Sequence, residues 1–154
     1  MAGPQFRNFM RLALDAAREA VAAGEVPVGA VLTDPDGNVI ATAANRTRRD
    51  RAPTAHAEML AIREAAARIG NERLDGCSLW VTLEPCAMCA GAIAQARIGR
   101  LYYAAADPKG GAIEHGPRLF GQPTMHHRPE VYGGICEQEA ALLLRDFFSA
   151  RRQG

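Results

Sequence analysis

Residues 84–89 read Glu-Pro-Cys-Ala-Met-Cys, and residues 53–58 read Pro-Thr-Ala-His-Ala-Glu. Each stretch places a proline just before a predicted helix, and together they offer one imidazole, two thiols and the carboxylate of Glu58. Cys86 and Cys89 are three residues apart, so on a helix they lie on one face as neighbours. A helix N-terminus favours the thiolate, which is the form of cysteine that binds metal. One histidine and two cysteines are a usual ligand set for a catalytic zinc that keeps a fourth position for water.

His56 and Glu58 are two residues apart, and such residues do not share a helix face. We therefore expect the helix to point its N-terminal end at the metal, with both side chains reaching around it. Glu58 is then left to transfer protons rather than to bind metal. The pattern H-x-E followed by P-C-x-x-C is a signature of zinc deaminases and is far more specific than either half. The sequence therefore predicts one zinc per chain, held by His56, Cys86 and Cys89.

Each half of this pattern has other interpretations when it is taken alone. A C-x-x-C pair also occurs in dithiol redox proteins, in zinc ribbons and in buried cores, and a single histidine is more often a capping or core residue. A redox protein would leave His56 and Glu58 without a role. A non-catalytic zinc module that binds RNA or protein has no use for Glu58 beside an open metal position. The catalytic site is therefore the favoured interpretation.

The composition is that of a soluble globular protein, with 154 residues, of which 48% are hydrophobic and 23% charged. This length predicts one domain over residues 1–154. The formal net charge of +1 gives no overall basic field that would indicate a nucleic-acid partner. The sequence has neither a disulfide framework nor an apolar segment long enough to cross a bilayer, and its first residues do not resemble a signal peptide. We therefore expect a cytoplasmic protein with no membrane partner.

The pattern of apolar residues predicts alternating helices and strands. Helices are expected over residues 6–23, 55–69, 86–96 and 137–152, and strands over residues 28–33, 38–44, 77–83, 98–104 and 130–132. The strand–helix–strand order indicates βαβ units whose helices pack on the faces of a sheet. Residues 107–128 form an irregular segment that holds His115, His126 and His127, each of which is either a substrate contact or a surface residue.

Two of the predicted helices carry more detailed expectations. Thr54 is the predicted N-cap of the second helix. The buried stripe of that helix is expected at Met59, Ile62, Ala66 and Ile69. The last helix is expected to turn four residues toward the core, namely Ala140, Ala141, Leu144 and Phe148.

Two groups of residues have both an RNA-binding and a plain structural interpretation. Four arginines precede His56, at positions 46, 48, 49 and 51, and they either form a solvated loop or reach a phosphate near the pocket. In the last helix, Phe148 and Arg151 suit base stacking and phosphate contact. A core phenylalanine and a solvated helix end explain these two residues equally well.

The chain resembles the bacterial tRNA-specific adenosine deaminases of the cytidine deaminase superfamily. The resemblance rests on the zinc pattern and its flanking blocks, namely residues 25–31, 45–46, 53–58, 81–91, 96–100, 146–148 and 151–153. It implies a three-layer α/β/α fold with a five-stranded mixed sheet. It also implies a homodimer that converts the wobble adenosine of a tRNA anticodon to inosine and releases ammonia. Met88 and Ile93 on the third predicted helix add apolar surface for such a dimer.

The resemblance also implies roles for individual residues. It makes Glu58 the proton shuttle, Asn45 the pocket asparagine, Val28 a residue whose backbone lines the base pocket, and Asp107 and Lys109 the loop aspartate and lysine. Between Gly111 and the last predicted strand, the amino-acid sequence of this chain differs from that of the family's better-known members. His126 stands where those members have asparagine. The alternative with the same fold is a deaminase of a free base or nucleoside, such as guanine, cytosine or cytidine.

Overall fold

The computed structural model of the chain describes residues 8–153, so Phe6 of the first predicted helix lies outside the described residues. The helices are α1 (Met10–Ala22), α2 (Ala57–Ile69), α3 (Ala87–Gln95) and α4 (Glu137–Gln153), and a 3-10 turn covers Leu119–Gly121. The strands are β1 (Gly29–Thr33), β2 (Val39–Ala44), β3 (Ser78–Leu83), β4 (Arg100–Ala105) and β5 (Glu130–Tyr132). The predicted elements are confirmed, with shifts of a few residues at their ends. Among residues 8–153, no helix is both long and apolar enough to span a membrane.

These strands form one mixed sheet in the order β2-β1-β3-β4-β5. β1 and β2 are an antiparallel hairpin, and its turn is held by Asp34, whose Oδ1 accepts hydrogen bonds from the backbone N–H groups of Asp36 and Asn38, each at 2.9 Å. β1 also pairs antiparallel with β3, whereas β3, β4 and β5 are parallel. The five-stranded mixed sheet implied by the family resemblance is therefore confirmed.

Helices cover both faces of the sheet. On β1, Ala30 and Leu32 pack in the core beneath α2 and α3, whereas Val31 packs in the core beneath α1 and α4. All five residues of β1 are buried because the strand lies between two helical layers. The three-layer α/β/α arrangement is confirmed, and it brings the N-terminal ends of α2 and α3 to the same side of the sheet.

A row of aromatic rings crosses the α1/α4 face of the sheet. Trp80, Tyr102 and Tyr132 are neighbours in register on β3, β4 and β5. The ring centroids of Trp80 and Tyr102 are 3.8 Å apart and those of Tyr102 and Tyr132 are 5.1 Å apart, both in stacked geometry. Phe9 contacts Trp80 edge-on at 5.6 Å. Such cross-strand aromatic pairs stabilise the parallel half of the sheet beyond the burial of their area.

The predicted start and buried stripe of α2 are wrong. The N-cap residue is His56 rather than Thr54. Its buried apolar residues are Ala57, Ala61 and Ala65, whereas Ile69 is 44% exposed and Met59, Ile62 and Ala66 are only half-buried. The alanine stripe lets the helix approach the sheet closely, and the larger apolar residues remain on its outer side.

The predicted inner face of α4 is also wrong in part. Ala140 and Phe147 are buried and Leu144 is half-buried, which is the i, i+4, i+7 stripe of one helix face. Ala141 and Phe148 are exposed. Because adjacent residues lie about 100° apart on a helix, Phe147 and Phe148 cannot both point inward.

Candidate active site

Three possible metal ligands meet where α2 and α3 begin. His56 is the N-cap of α2 and Cys86 is the N-cap of α3. His56 Nδ1 lies 3.6 Å from Cys86 Sγ and 3.5 Å from Cys89 Sγ, and all three atoms lie within 4.8 Å of one another. Zinc bonds of about 2.0 Å to nitrogen and 2.3 Å to sulfur place neighbouring ligands of a tetrahedral ion roughly 3.6 Å apart. The arrangement of these three side chains therefore fits zinc.

The two thiols of this group differ in their pKa values. Hydrogen bonds with Cys89 and His56 lower the pKa of Cys86 to about 3. The contact with Cys86, together with burial, raises the pKa of Cys89. Cysteine binds metal as the thiolate, so zinc binding at this group releases the protons that the thiols carry.

Glu58 lies in the first turn of α2 and is only 4% exposed. Burial raises the pKa of its carboxyl group, because the charged form loses its hydration. It is not one of the three clustered ligands. A buried carboxyl group beside a metal site is suited to accept and return a proton.

His56, Cys86 and Cys89 are called the metal group below. This group lies beside a cavity of about 390 Å³. Its lining includes His56, Glu58 and Cys86 together with three of the predicted substrate contacts, Val28, Asn45 and Asp107. Cys89 is fully buried behind this lining. The fold therefore brings together residues that are up to 84 positions apart, from Val26 to Gly110, in a space of the size that binds small ligands.

Asn45 is part of the cavity wall rather than a surface turn residue. It is 8% exposed, and its backbone N–H donates to the carbonyl oxygen of Val28 at 3.0 Å. Within residues 8–153, Asn45 forms hydrogen bonds only through its backbone, and its side-chain amide has no partner. The amide is therefore available to a molecule bound in the cavity.

The loop that follows Asn45 is anchored by a buried carboxylate that sequence reasoning missed. Glu25 has no exposed side-chain surface, and it accepts hydrogen bonds from the backbone N–H groups of Arg48 at 3.1 Å and Arg49 at 2.8 Å. Burial alone would raise the pKa of Glu25, but these N–H groups and the Arg49 guanidinium lower it. The available signal in the sequence was a charged residue four positions before the first residue of an apolar strand.

A second buried carboxylate, also missed, holds the segment after β4. Glu84 has no exposed side-chain surface and lies two residues before Cys86. It accepts hydrogen bonds from the backbone N–H groups of Asp107, Ile113, Glu114 and His115, and His115 Nδ1 lies 2.7 Å from its Oε1. Burial alone would raise the pKa of Glu84, but these donors lower it. The only features of the sequence that could have indicated this role were the charge of Glu84 and its position next to the P-C-x-x-C pattern.

The other two histidines of this segment lie elsewhere. His127 Nε2 is 2.7 Å from the carbonyl oxygen of Ile98, so this side chain ties the segment to the start of β4. His126 is exposed. Neither residue lines the 390 Å³ cavity.

Three predicted substrate contacts lie outside that cavity. Lys109 is exposed, and its backbone N–H donates to Asp107 Oδ1 at 3.2 Å. Phe148 is 43% exposed and lines a neighbouring cavity of about 490 Å³ that shares Val26, Leu83 and Asp107 with the first. Arg151 donates to the carbonyl oxygen of Gly24 at 2.6 Å, and its guanidinium lies 4.6 Å from the centroid of the Phe147 ring.

Comparison with known proteins identifies the family. The zinc-binding region of cytidine and deoxycytidylate deaminases matches residues 4–105. The tRNA-specific adenosine deaminase of Agrobacterium fabrum is 58% identical over 145 residues, which cover 94% of this chain and 95% of that protein. The chain belongs to the family of tRNA-specific adenosine deaminases. It is therefore a zinc-dependent deaminase with one zinc per chain.

Solved structures agree with this assignment. A structure from studies of A-to-I editing by tRNA:A34 deaminases at the wobble position of transfer RNA is 59% identical, with a TM-score of 0.86 over 88% of this chain and 98% of that one. The guanine deaminase of Nitrosomonas europaea is 28% identical, with a TM-score of 0.74 over 97% of this chain and 86% of that one. The first structure matches in both sequence and fold, whereas the second is a more distant relative.

Proposed function

We propose that this chain converts adenosine to inosine at the wobble position of a tRNA anticodon and releases ammonia. The observation that carries the proposal is that the metal group, Glu58 and Asn45 meet at one cavity. The support for the substrate is the 58% identity to a tRNA-specific adenosine deaminase. The reaction consumes one water and replaces the exocyclic amino group of the base with oxygen.

The chemistry follows from the positions of the side chains. His56, Cys86 and Cys89 hold the zinc, which when bound supplies a water whose pKa is lowered to about 7. Glu58 would take one proton from this water and deliver it to the ring nitrogen, and it would then take the proton of the new hydroxyl group on the base and pass it to the leaving amine. Asn45 orients the base through its free amide, while the backbone of Val28 and the side chain of Asp107 complete the pocket wall.

Residues outside the cavity are proposed to contact the nucleotides next to the reacting one. An RNA duplex hides the reacting atom, so the substrate is a loop nucleotide that can turn out of the stack. Arg48 and Arg151 both donate to the carbonyl oxygen of Gly24, at 3.5 Å and 2.6 Å, so the basic loop and the last helix form one surface. Phosphates are expected at these arginines and at Lys109, and an unstacked base at the exposed ring of Phe148.

We further propose that the chain is a single domain and acts as a homodimer in the cytoplasm. Ile93 cannot supply dimer surface, because it is fully buried in the core of its own chain. Met59, Ile62 and Met88 are half-buried on α2 and α3, two helices that contact each other, and these side chains offer apolar area for a second copy. Light scattering at micromolar concentration tests this, and a monomer would contradict it.

The activity is tested by comparing substrates. The zinc-loaded protein should form inosine in an anticodon stem-loop while releasing almost no ammonia from free adenosine, guanine, cytosine or cytidine. Guanine is included because a guanine deaminase shares the fold with a TM-score of 0.74. Faster turnover of a free base or nucleoside than of the stem-loop would contradict the proposal and favour that second candidate.

A further inference from the structure

The carboxylate of Glu84 is surrounded by donors from one segment of chain. Its Oε2 accepts from the backbone N–H groups of Ile113 at 3.1 Å, Glu114 at 2.9 Å and His115 at 3.1 Å. Its Oε1 accepts from the backbone N–H of Asp107 at 3.0 Å and lies 2.7 Å from His115 Nδ1. Because a carboxylate can only accept, Nδ1 of His115 carries the proton in this contact.

The chain is wound tightly around this carboxylate. A Cβ atom at Gly111 would lie 2.5 Å from Glu84 Cδ and 2.6 Å from the carbonyl oxygen of Asp107, so only glycine fits there. The next residue, Ala112, donates its backbone N–H to the carbonyl oxygen of Pro85 at 2.9 Å. The segment therefore follows the shape of the Glu84 side chain from Asp107 to His115.

The same carboxylate borders the proposed active site. Glu84, Asp107 and Gly110 line the 390 Å³ cavity together with Cys86, whereas His115 does not line it. His115 and Asp107 share one acceptor atom, Oε1 of Glu84. A change at His115 can therefore reach the cavity wall through two hydrogen bonds without any contact with a bound molecule.

We propose that Glu84 and His115 are positioning residues for the substrate pocket, and the proposal rests on the function proposed above. The imidazole of His115 holds Oε1 in place, and Oε1 in turn fixes the backbone of Asp107 in the cavity wall. Hydrogen bonds to an ionised carboxylate are stronger than neutral ones, so this link resists the disorder that an exposed segment otherwise has. This link from His115 through Glu84 to Asp107 affects the affinity for the nucleotide. It does not affect the rate of the chemical step, which uses Glu58 and the metal ligands.

Three variants separate positioning from folding. His115→Leu removes the side-chain donor, and His115→Asn keeps an N–H group in the same region. His127→Leu is the matched control, because it removes another 2.7 Å histidine contact of the same segment, to the carbonyl oxygen of Ile98, away from the cavity. All three are purified with zinc, and zinc content and melting temperature are measured beside kcat and KM for the stem-loop.

His115→Leu should keep one zinc per chain and raise KM about tenfold, with kcat changed by less than about threefold, because it removes binding that is equal in the ground and transition states. His115→Asn should return KM to within about threefold of the original. His127→Leu should lower the melting temperature but leave both kinetic constants unchanged. The proposal is overturned if His115→Leu changes only the melting temperature, or if folded His115→Asn is as impaired as His115→Leu.

A measurement without substrate keeps this inference separate from the proposed function. Amide hydrogen exchange of the zinc-loaded protein should be faster at Asp107 and at residues 113–115 in His115→Leu than in the unchanged protein. Exchange there at the original rate would refute the positioning role, whichever substrate the enzyme prefers. If the unchanged protein deaminates a free base instead of the stem-loop, the proposed function fails, and the variants are then compared by KM on that base.

Discussion

The buried carboxylate of Glu25 accepts a 2.8 Å hydrogen bond from the backbone N–H of Arg49. This contact joins the chain just before β1 to the loop that follows β2, and it lies next to Asn45, whose backbone carbonyl oxygen accepts from the Arg49 side chain at 3.5 Å. A residue with no direct place in the chemistry thus holds one wall of the active-site cavity. The Arg49 guanidinium also forms an ion pair with Glu25, with Nε 3.5 Å from Oε2, and both Arg48 and Arg49 remain exposed.

Replacing Glu25 by glutamine should destabilise the fold by about 1–3 kcal/mol at pH 7, because Arg48 and Arg49 donate to different oxygens of Glu25 and the amide replaces one of these acceptors with an NH2 donor. The native pKa of Glu25 is lowered, so its stabilisation is complete above the ordinary glutamate pKa and is lost as the pH falls through the native value. The difference between the original protein and Glu25→Gln should therefore shrink in acid. Urea unfolding at several pH values measures this difference in the free energy of unfolding, and Glu19→Gln at an exposed position is the control. A difference that grows in acid would contradict the stabilising role of the Glu25 carboxylate.

Removing a metal ligand should remove the zinc. His56→Ala and Cys86→Ala should each fall from about one zinc per chain to almost none, because two remaining ligands bind zinc too weakly to retain it. Cys77→Ala is the matched control, since Cys77 is a buried thiol away from the clustered ligands and should leave the zinc in place. Metal analysis gives the result, and chelation should lower the melting temperature of the original protein but not that of the zinc-free variants.

Glu58→Gln should keep zinc and fold but lose turnover by about 10²–10⁴-fold, the usual contribution of a general acid–base residue. The amide has nearly the same shape as the carboxyl group and cannot carry the proton. Glu64→Gln on the same helix is the control, because Glu64 forms a surface ion pair with Arg68 at 3.0 Å and does not line the 390 Å³ cavity. Substantial activity of Glu58→Gln at normal zinc content would disprove the mechanism.

Gly29→Ala should destabilise the protein by about 1–3 kcal/mol through overpacking. An added Cβ would overlap the carbonyl oxygen of Ala13 and lie 2.7 Å from the backbone nitrogen of Ala17, and neither backbone atom can move aside easily. Gly91→Ala is the comparison, because among residues 8–153 no atom beyond its neighbours and the adjacent backbone of α3 lies within 4 Å of its Cβ position, and alanine is the better helix former. In denaturant unfolding, Gly29→Ala should lower the free energy of unfolding and Gly91→Ala should raise it.

Arg151→Ala should cost about 0.5–1.5 kcal/mol of stability, because Arg151 donates to the carbonyl oxygen of Gly24 at 2.6 Å. Arg152→Ala removes an exposed charge without this cost. If the surface binds phosphate, both variants should raise KM for the stem-loop and flatten its salt dependence. Unchanged kinetics in both would leave these arginines without a role in RNA binding.

The metal group and the order of the elements could be predicted because their signals are local. Cys86 and Cys89 are neighbours on one helix turn, and each strand or helix has its own apolar period. The buried carboxylates could not be predicted, since Glu25 and Glu84 bind backbone N–H groups 23–31 residues away, and backbone atoms leave no trace in the sequence. The inner face of α2 was misassigned because alanines such as Ala61 mark a buried stripe less strongly than the isoleucines beside it.

The stack of Trp80 on Tyr102 has an optical consequence. Trp80 is the single tryptophan of the chain, and it is 3% exposed on the sheet face beneath α1 and α4. Intrinsic fluorescence excited at the indole therefore reports on that side of the sheet alone, while the metal ligands lie at the ends of the helices on the other side. An emission change on chelation would show that zinc loss is transmitted through the sheet, and a constant emission would show that the two helical layers respond independently.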